Sequence, residues 1–325
     1  MPSWRTIGLL LWLVALGLVA WILSRLPLDS IAQIMAGLSW PQWLIWGGIN
    51  VLVLLLGTLR WQVFTRLLGL PVGFVQLLLV RQAGQLISFL TPGPQFGGEP
   101  FQIYWLCRRY QAPVHGAVLS LGLDRFFELW INFSVLILGI ILLMSAAGMD
   151  GAADWQQILG VLALLVLLLS ILGWMLLRRP QWLSRRLEHT IGRWLRSPRL
   201  QQLDTHWQAM GGDLARLTSR GNPALWLGLW VSLLGWATIV AEMIIVLEIL
   251  DVAVTPWGVI LILVATRLAL LLPLPGGIGT LEASVLWSFQ ILGLPATAAL
   301  GVIALMRLRD ALVLLLGLGC LHALR

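Results

Sequence analysis

Two short segments of this 325-residue chain combine proline, glycine and glutamate in the same order and at the same spacing. In each, five residues separate a Pro-Gly pair from a glutamate, so the two copies align without a gap. A helix that begins after such a break presents unpaired N–H groups and the positive end of its dipole, which bind anions, phosphate included. Glycine also lets the backbone turn sharply and approach a ligand closely. The residues that we predict to bind a lipid headgroup or an ion here are Pro92, Gly93, Gly97, Gly98 and Glu99 in the first copy and Pro275, Gly276, Gly277, Gly279 and Glu282 in the second.

Charged residues recur inside the apolar segments near each break. Each such charge costs about 2.5–3.5 kcal/mol on insertion scales and therefore faces a partner or water. Several stand three or four residues apart, a spacing that places them on one face of a helix. Two interpretations follow. The charges form ion pairs that lock a helical bundle, or they form a polar path across a bilayer, in which arginine binds a headgroup phosphate and Glu99 or Glu282 binds a cation or a proton. The candidate residues are Asp124, Arg125, Glu128, Arg267, Arg307, Arg309 and Asp310.

The sequence offers no arrangement of residues that is typical of an enzyme active site. The four histidines are isolated from one another, Cys107 and Cys320 lack metal-ligand spacing, and there is no nucleotide-binding loop. All 21 basic residues are arginine, which excludes chemistry through a lysine Schiff base. We therefore predict no catalytic residue, no metal site and no cofactor, and we expect that the protein is not an enzyme.

A membrane-embedded helical scaffold must position these residues. The chain is 59% hydrophobic and only 11% charged, with a mean hydropathy of +0.91. Apolar runs near 20 residues predict an all-α polytopic membrane protein, and the apolar core of the first run is too long for a cleaved signal peptide. The predicted full spans are 6–26, 40–66, 115–146, 155–177, 223–250 and 295–322.

Two further apolar segments, 74–110 and 256–292, are interrupted by the breaks. Lipid-exposed backbone does not tolerate such a break at membrane depth. We therefore predict six full spans plus two re-entrant or broken helical hairpins, or about eight spans if the hairpins are counted as membrane segments. Three spans separate the hairpins, and an odd number inverts the second unit, so the sequence predicts an inverted repeat. The alternative, that each hairpin is a complete pair of short spans, keeps the same side assignments.

Arginine in the loops indicates the orientation. Residues 178–220 hold nine arginines against three acidic residues, which predicts a cytoplasmic loop. The N-terminus and the C-terminus then also lie in the cytoplasm, and Arg60 is counted among the basic residues on that side. Apolar residues recur every four positions among these arginines, which fits a basic amphipathic helix on the inner leaflet or packed on the bundle. We divide the single integral membrane domain, 1–325, into repeat one at 40–146, the basic loop at 178–222 and repeat two at 223–325.

Three segments resemble the lysylphosphatidylglycerol synthase transmembrane-region family of flippase-like membrane proteins: "TPGPQFGGEPFQIYWL", "LDRFFEL" and "PLPGGIGTLEAS". The resemblance covers roughly residues 40–320, and the "PxPGGxGxxE" element is its most specific part. It implies a membrane region that moves aminoacylated phosphatidylglycerol or other lipids between leaflets. The family usually has a basic residue where this chain has Gln95-Phe96. We expect the protein to lack the soluble aminoacyl-transfer domain of bifunctional members, so the resemblance does not imply synthase activity.

Three functions fit these patterns, and we favour the first. It is a lipid flippase or translocase that moves a phospholipid or other polar lipid between the leaflets of the cell inner membrane. The second is a membrane enzyme that transfers a glycosyl or aminoacyl group to a lipid, and the third is a non-catalytic partner of lipid-synthesis enzymes. The net charge of +7 is concentrated in the basic loop, so we expect anionic membrane lipids rather than nucleic acid as binding partners. A homo-oligomer or a complex with a lipid-synthesis enzyme is left open as a further interaction.

Overall fold

The computed structural model describes residues 36–90, 97–147, 152–178, 223–272 and 274–324. Within these residues it contains nine α-helices, one short 3-10 turn and no β-strand, which confirms the all-α fold class. The 3-10 turn, Pro275–Gly277, lies between the seventh and eighth helices. The helices in chain order are α1 (Trp40–Leu67), α2 (Phe74–Leu90), α3 (Glu99–Tyr110), α4 (Val114–Ala147), α5 (Ala152–Arg178), α6 (Pro223–Ile249), α7 (Pro256–Ala269), α8 (Thr280–Ile291) and α9 (Ala296–Ala323).

Four helices of the described chain are long and apolar enough to cross a membrane, so the protein is a multi-pass membrane protein. They match four of the predicted full spans to within three residues at each end. The predicted span at 6–26 lies outside the described residues, and so does the basic loop beyond Arg178. The four apolar segments are Trp40–Leu67, Val114–Ser145, Trp155–Gly173 and Pro223–Ile249.

The helices that flank the two breaks are short. The helices α2 and α3 contain 17 and 12 residues, and α7 and α8 contain 14 and 12. At 1.5 Å per residue even α2 is only about 26 Å long, which is less than the ~30 Å of bilayer hydrocarbon. The helix α9 has 28 residues, the length of a full span, but its middle carries Arg307, Arg309 and Asp310.

The order of helix lengths occurs twice along the chain. The helices α1 to α4 contain 28, 17, 12 and 34 residues, and α6 to α9 contain 27, 14, 12 and 28. Backbone turns with positive φ recur between corresponding helices at one constant distance along the chain, which we call the repeat offset. The starts of α2 and α7 share this offset, and so do the starts of α4 and α9. The chain therefore turns alike at three pairs of residues, Gly69 and Asp251, Gly97 and Gly279, and Gln111 and Gly293.

The chain forms two compact units, and four helices contribute residues to both. In the first unit, α6, α7, α8 and α9 pack around the buried side chains of Ile262, Val285 and Phe289. In the second unit, α4 packs along α5, and the ring centroids of Phe64 and Phe127 are 5.1 Å apart. The first unit comprises the described residues within 1–54, 78–102 and 237–325, and the second comprises those within 55–77 and 103–236.

Candidate functional site

The second break is a tight turn that leads into a capped helix. Pro275–Gly277 form the 3-10 turn, and Gly276 has a φ of 58°, a conformation that glycine adopts without a steric penalty. Gly279 follows as the N-cap of α8. Its N–H donates to the Glu282 carboxylate at 2.8 Å, so the glutamate caps the helix from its third position.

Arg307 holds this turn against α9. Its Nε donates to Glu282 Oε1 at 2.7 Å, and its two Nη atoms donate to the carbonyl oxygens of Gly276 and Gly277 at 3.0 and 3.1 Å. Nη1 also donates to Asp310 at 2.8 Å, and the Arg307 side chain is only 1% exposed. One guanidinium therefore satisfies two carbonyls and two carboxylates, as its planar fork of donors permits. Of the two interpretations of the charged residues, these contacts of Arg307 fit the first, in which ion pairs hold the helices together.

Arg309 forms a second ion pair, beside a small cavity. Its Nη1 lies 3.0 Å from the Glu242 carboxylate of α6, and its Nη2 lies 3.4 Å from Asp310. The cavity lies among α6, α7, α8 and α9 and has a volume of about 30 Å³. Glu242, Thr266, Arg267 and Arg309 supply its polar lining. A volume of this size accommodates about one or two water molecules.

At the end of the first break, a glutamate also accepts a hydrogen bond from a glycine N–H. The Gly97 N–H donates to the Glu99 carboxylate at 2.7 Å. The next residue, Gly98, packs directly on the backbone of Gly84 in α2, and its N–H donates to Ser88 Oγ at 2.9 Å. A β-carbon on Gly98 would overlap the Gly84 carbonyl oxygen, so the close approach of α2 and α3 requires glycine here.

The helix that precedes the first break contacts the second break within the first unit. Phe89, in the last turn of α2 just before the first break, lies against Gly276 in the turn of the second break. The same helix packs on α9, where Gly317 faces the α2 backbone. The structure therefore brings the helix that leads into the first break onto the second break. The predicted site residues Pro92 and Gly93 lie outside the described residues.

The predicted site residues of α4 form a separate cluster in the second unit. Asp124 is fully buried and accepts from Arg60 Nε at 2.7 Å. Glu128 accepts from Arg60 Nη2 at 2.8 Å and from Arg125 at 3.0 Å. Arg60 is 8% exposed, and its charge is paired with two α4 carboxylates inside the unit, whereas its predicted place on the cytoplasmic side stays a prediction.

Sequence reasoning missed Arg60 and Glu242 as members of the candidate site. They lie in α1 and α6, separated by the repeat offset, and each pairs with a charged residue on the last helix of its series, α4 or α9. The repeat offset could have identified both residues, because a search for charged residues at matching positions in the two halves would have found them. The same offset separates the two ion pairs at i,i+3 spacing, Arg125–Glu128 and Arg307–Asp310.

Some of the N–H groups that precede α3 and α8 are not available to bind an external anion. Two of them donate to Glu99 and Glu282, so the protein's own carboxylates occupy these positions. Among the predicted arginines, Arg267 and Arg309 line the cavity, whereas Arg307 is engaged by the break. In the described part of the chain, no group of three or more His, Cys, Asp or Glu side chains could hold a metal ion.

Known proteins support a membrane family for this chain. Residues 7–317 match the family model described as the lysylphosphatidylglycerol synthase TM region. The UPF0104 membrane protein MJ1595 of Methanocaldococcus jannaschii is 25% identical over 121 residues, which are 36% of each chain. A UPF0104 membrane protein of Methanothermobacter thermautotrophicus is 34% identical over 97 residues, which are 29% of each chain.

The matched segments span about a third of the length of these two curated relatives. No solved structure matches the chain. The family model, by contrast, extends from the seventh residue almost to the end of α9. The chain therefore belongs to the lysylphosphatidylglycerol synthase transmembrane-region family.

Proposed function

We propose that this protein moves a polar lipid with an anionic headgroup from one leaflet of a membrane to the other. One observation carries the proposal: in a multi-pass membrane protein, the helices that follow the two breaks begin alike, each with a glutamate that accepts from a nearby glycine N–H. Irregular backbone at membrane depth occurs where it is buried in protein or lines a substrate path. The description of the family, which names a phospholipid, supports a role at lipids.

The matched turns and ion pairs support an inverted repeat, in which α1 to α4 correspond to α6 to α9. The repeat offset applies to backbone turns, to helix starts and to the ion pairs of α4 and α9. Three long helices, α4, α5 and α6, separate the first short pair from the second. An odd number of crossings would open the two hairpins toward opposite sides of the membrane, as in transporters built from inverted repeats. The short lengths of the flanking helices favour re-entrant hairpins.

In this proposal the headgroup phosphate binds Arg309 and Arg267. Both line the cavity, and the Arg309 side chain is 25% exposed, whereas that of Arg307 is 1% exposed. A cavity of about 30 Å³ is too small for a phosphate group, so binding requires that the Arg309–Glu242 pair separate. The phosphate then replaces the Glu242 carboxylate as the partner of Arg309, through charge-assisted hydrogen bonds of the same kind.

We further propose that the protein resides in the cell inner membrane with both termini and the 178–222 loop in the cytoplasm. The support is the excess of arginine in that loop, since basic residues concentrate in cytoplasmic loops. The same charge favours anionic lipids of the inner leaflet as partners.

Reconstitution into liposomes with a headgroup-labelled anionic phospholipid tests the proposal. An impermeant quencher reports how fast the label crosses between leaflets. We expect the wild-type protein to exceed protein-free liposomes and Arg309→Gln to be slower by about tenfold or more, the loss expected for one hydrogen-bonded charge. Arg109→Gln, which removes an exposed arginine of α3, serves as the control. Equal rates for wild type and Arg309→Gln would contradict the headgroup site.

A lipid inventory separates transport from synthesis. We expect cells that lack the protein to contain the same lipid species as wild-type cells, with a changed distribution between leaflets. A lipid species that disappears in these cells would instead indicate that the protein transfers a glycosyl or aminoacyl group.

A further inference from the structure

Two arginines of the second unit converge on one carboxylate oxygen. Nη2 of Arg60 in α1 lies 2.8 Å from Glu128 Oε2, and Nη1 of Arg125 in α4 lies 3.0 Å from the same atom. Arg60 also donates through Nε to Asp124, at 2.7 Å. We refer to Arg60, Asp124, Arg125 and Glu128 as the α4 cluster. The headgroup site proposed above, at Arg309 in the first unit, makes no use of this cluster.

The two carboxylates of the α4 cluster differ in exposure. The Asp124 side chain is 0% exposed, so it is fixed in the interior, whereas that of Glu128 is 35% exposed. Glu128 lies near the middle of Val114–Ser145, the apolar segment of α4 that is long enough to cross a membrane. A charged side chain at such a position faces water or a polar partner, because lipid does not solvate it. The exposure of Glu128 therefore indicates that water or a polar group reaches the cluster at this carboxylate.

The matching positions in the second half of the chain are more closed. Arg125 and Glu128 correspond through the repeat offset to Arg307 and Asp310, whose side chains are 1% and 13% exposed. Those of Arg125 and Glu128 are 15% and 35% exposed. Arg307 is engaged by the turn of the second break through two carbonyl oxygens. The same ion pair is therefore sealed in α9 and accessible in α4.

The charges of the α4 cluster fit an anion in the place of Glu128. Two arginines and two carboxylates balance within the cluster. When Glu128 turns toward its exposed side, two guanidinium groups face Asp124 alone, which leaves an excess of one positive charge. A phosphate group carries at least one negative charge at neutral pH and offers several acceptor oxygens. Each arginine then gains an oxygen of its own, whereas both now share Glu128 Oε2.

We propose that Arg60 and Arg125 form a binding site for a phosphate group, carried by a phospholipid headgroup or by free phosphate, and that the Glu128 carboxylate competes with it for the two arginines. Within the proposed function this is a second headgroup site, a consequence that rests on lipid movement. Binding of the phosphate group does not rest on it, because it is measured without any movement of lipid.

Thermal unfolding of the full chain in uncharged detergent micelles measures the binding. We expect Tm to rise saturably with sodium phosphate relative to sodium chloride at equal ionic strength, because a ligand of the folded state stabilises it. Short-chain phosphatidylglycerol is compared with diacylglycerol of the same chain length, which lacks the phosphate group. A rise with phosphatidylglycerol alone indicates a lipid headgroup site, and a rise with inorganic phosphate, alone or as well, indicates that the phosphate group suffices. No rise with either would overturn the proposal.

Removal of the Glu128 charge locates the binding at the α4 cluster. We expect Glu128→Gln to lower Tm in chloride and to lower the half-saturating concentration of phosphate or phosphatidylglycerol about tenfold or more, because the internal competitor is lost. Adding Arg125→Gln should abolish this gain, since one of the two donors is removed. Glu248→Gln, at an exposed position of α6, should match wild type. A purely structural role of Glu128 predicts the lower Tm without tighter binding, so unchanged or weaker binding by Glu128→Gln would overturn the proposal.

The variant Arg309→Gln separates this site from the headgroup site of the proposed function. We expect the tighter binding of Glu128→Gln to persist when Arg309→Gln is added, whatever the rate of lipid crossing, so the two proposals fail independently. Loss of the gain on adding Arg309→Gln would assign the binding to Arg309 and overturn the site at the α4 cluster. If Glu128→Gln does not fold, Glu128→Asp keeps the charge but withdraws the carboxylate by one methylene. Tighter phosphate binding by Glu128→Asp would support the site, and unchanged binding would overturn it.

Discussion

The ring of Phe89 lies against Gly276, so the helix that leads into the first break contacts the turn of the second break. The two residues are far apart in sequence, and neither carries a charge. Their contact places two matched interruptions of the chain in one compact unit, with Arg307 holding the second interruption from α9. We therefore expect a substitution in the turn of the second break to perturb α2, the helix that precedes the first break.

Replacement of Gly276 tests this contact. We expect Gly276→Ala to destabilise the protein by about 1–3 kcal/mol, because a β-carbon there would overlap the Phe89 ring and the left-handed backbone disfavours alanine. The matched control is Gly235→Ala in α6, where a β-carbon would meet nothing within 4 Å. The measurement is thermal unfolding in detergent, and equal losses in both variants would contradict the contact.

Arg307 should be the most sensitive charged residue of the second break. We expect Arg307→Met to cost about 3–5 kcal/mol, because it leaves Glu282, Asp310 and two carbonyl groups without their common donor. Arg108→Met, at an exposed position of α3, is the control. Tm and gel-filtration profiles of the two variants measure the difference. A stable, monodisperse Arg307→Met protein would show that the lock is not structural.

The pair formed by Glu242 and Arg309 should tolerate exchange of its charges. We expect Glu242→Arg and Arg309→Glu each to lower Tm, and the double variant to recover part of the loss, with a coupling energy of about 0.5–3 kcal/mol. The reason is that each single change places like charges at the 3.0 Å contact between α6 and α9. Strictly additive losses in the double-mutant cycle would indicate that the two side chains do not interact.

Gly98 is predicted to be irreplaceable in the packing of the first break. We expect Gly98→Ala to separate α2 from α3 and to cost about 1–3 kcal/mol, because the added β-carbon would meet the rigid carbonyl of Gly84. Gly122→Ala in α4, which has free space around the added atom, is the control. Susceptibility to proteolysis near residues 84–98 measures the separation, and an unchanged digestion pattern with an unchanged Tm would refute it.

The long helices could be predicted from the sequence because their apolar runs approach the thickness of a bilayer. The predicted span at 40–66 is α1 to within one residue, and the span at 223–250 is α6 with the same accuracy. The breaks were also predictable, since proline and glycine interrupt apolar runs by local backbone chemistry. These features depend on residues close together in sequence.

The pairing of charges could not be predicted in this way. Arg60 reaches Asp124 far along the chain, and which face of α1 meets α4 depends on the packing of the whole unit. The sequence motif pairs Glu99 with Glu282. The repeat offset of the folded chain instead pairs the preceding glycines, Gly97 and Gly279, and the two offsets differ by one residue. The difference lies between the glycine and the glutamate: Glu99 accepts from a glycine two residues ahead, and Glu282 from one three residues ahead.

The most direct test of the proposed lipid movement is the rate at which a headgroup-labelled anionic phospholipid crosses between leaflets in proteoliposomes, compared for wild type and the Glu99→Gln, Glu282→Gln double variant. Glu248→Gln, at an exposed position of α6, controls for the loss of an acidic side chain. We predict that wild type and Glu248→Gln accelerate crossing equally over protein-free liposomes, and that the double variant, reconstituted as folded protein, is at least about tenfold slower. Crossing by the double variant at the wild-type rate would contradict a role of the two breaks in lipid movement.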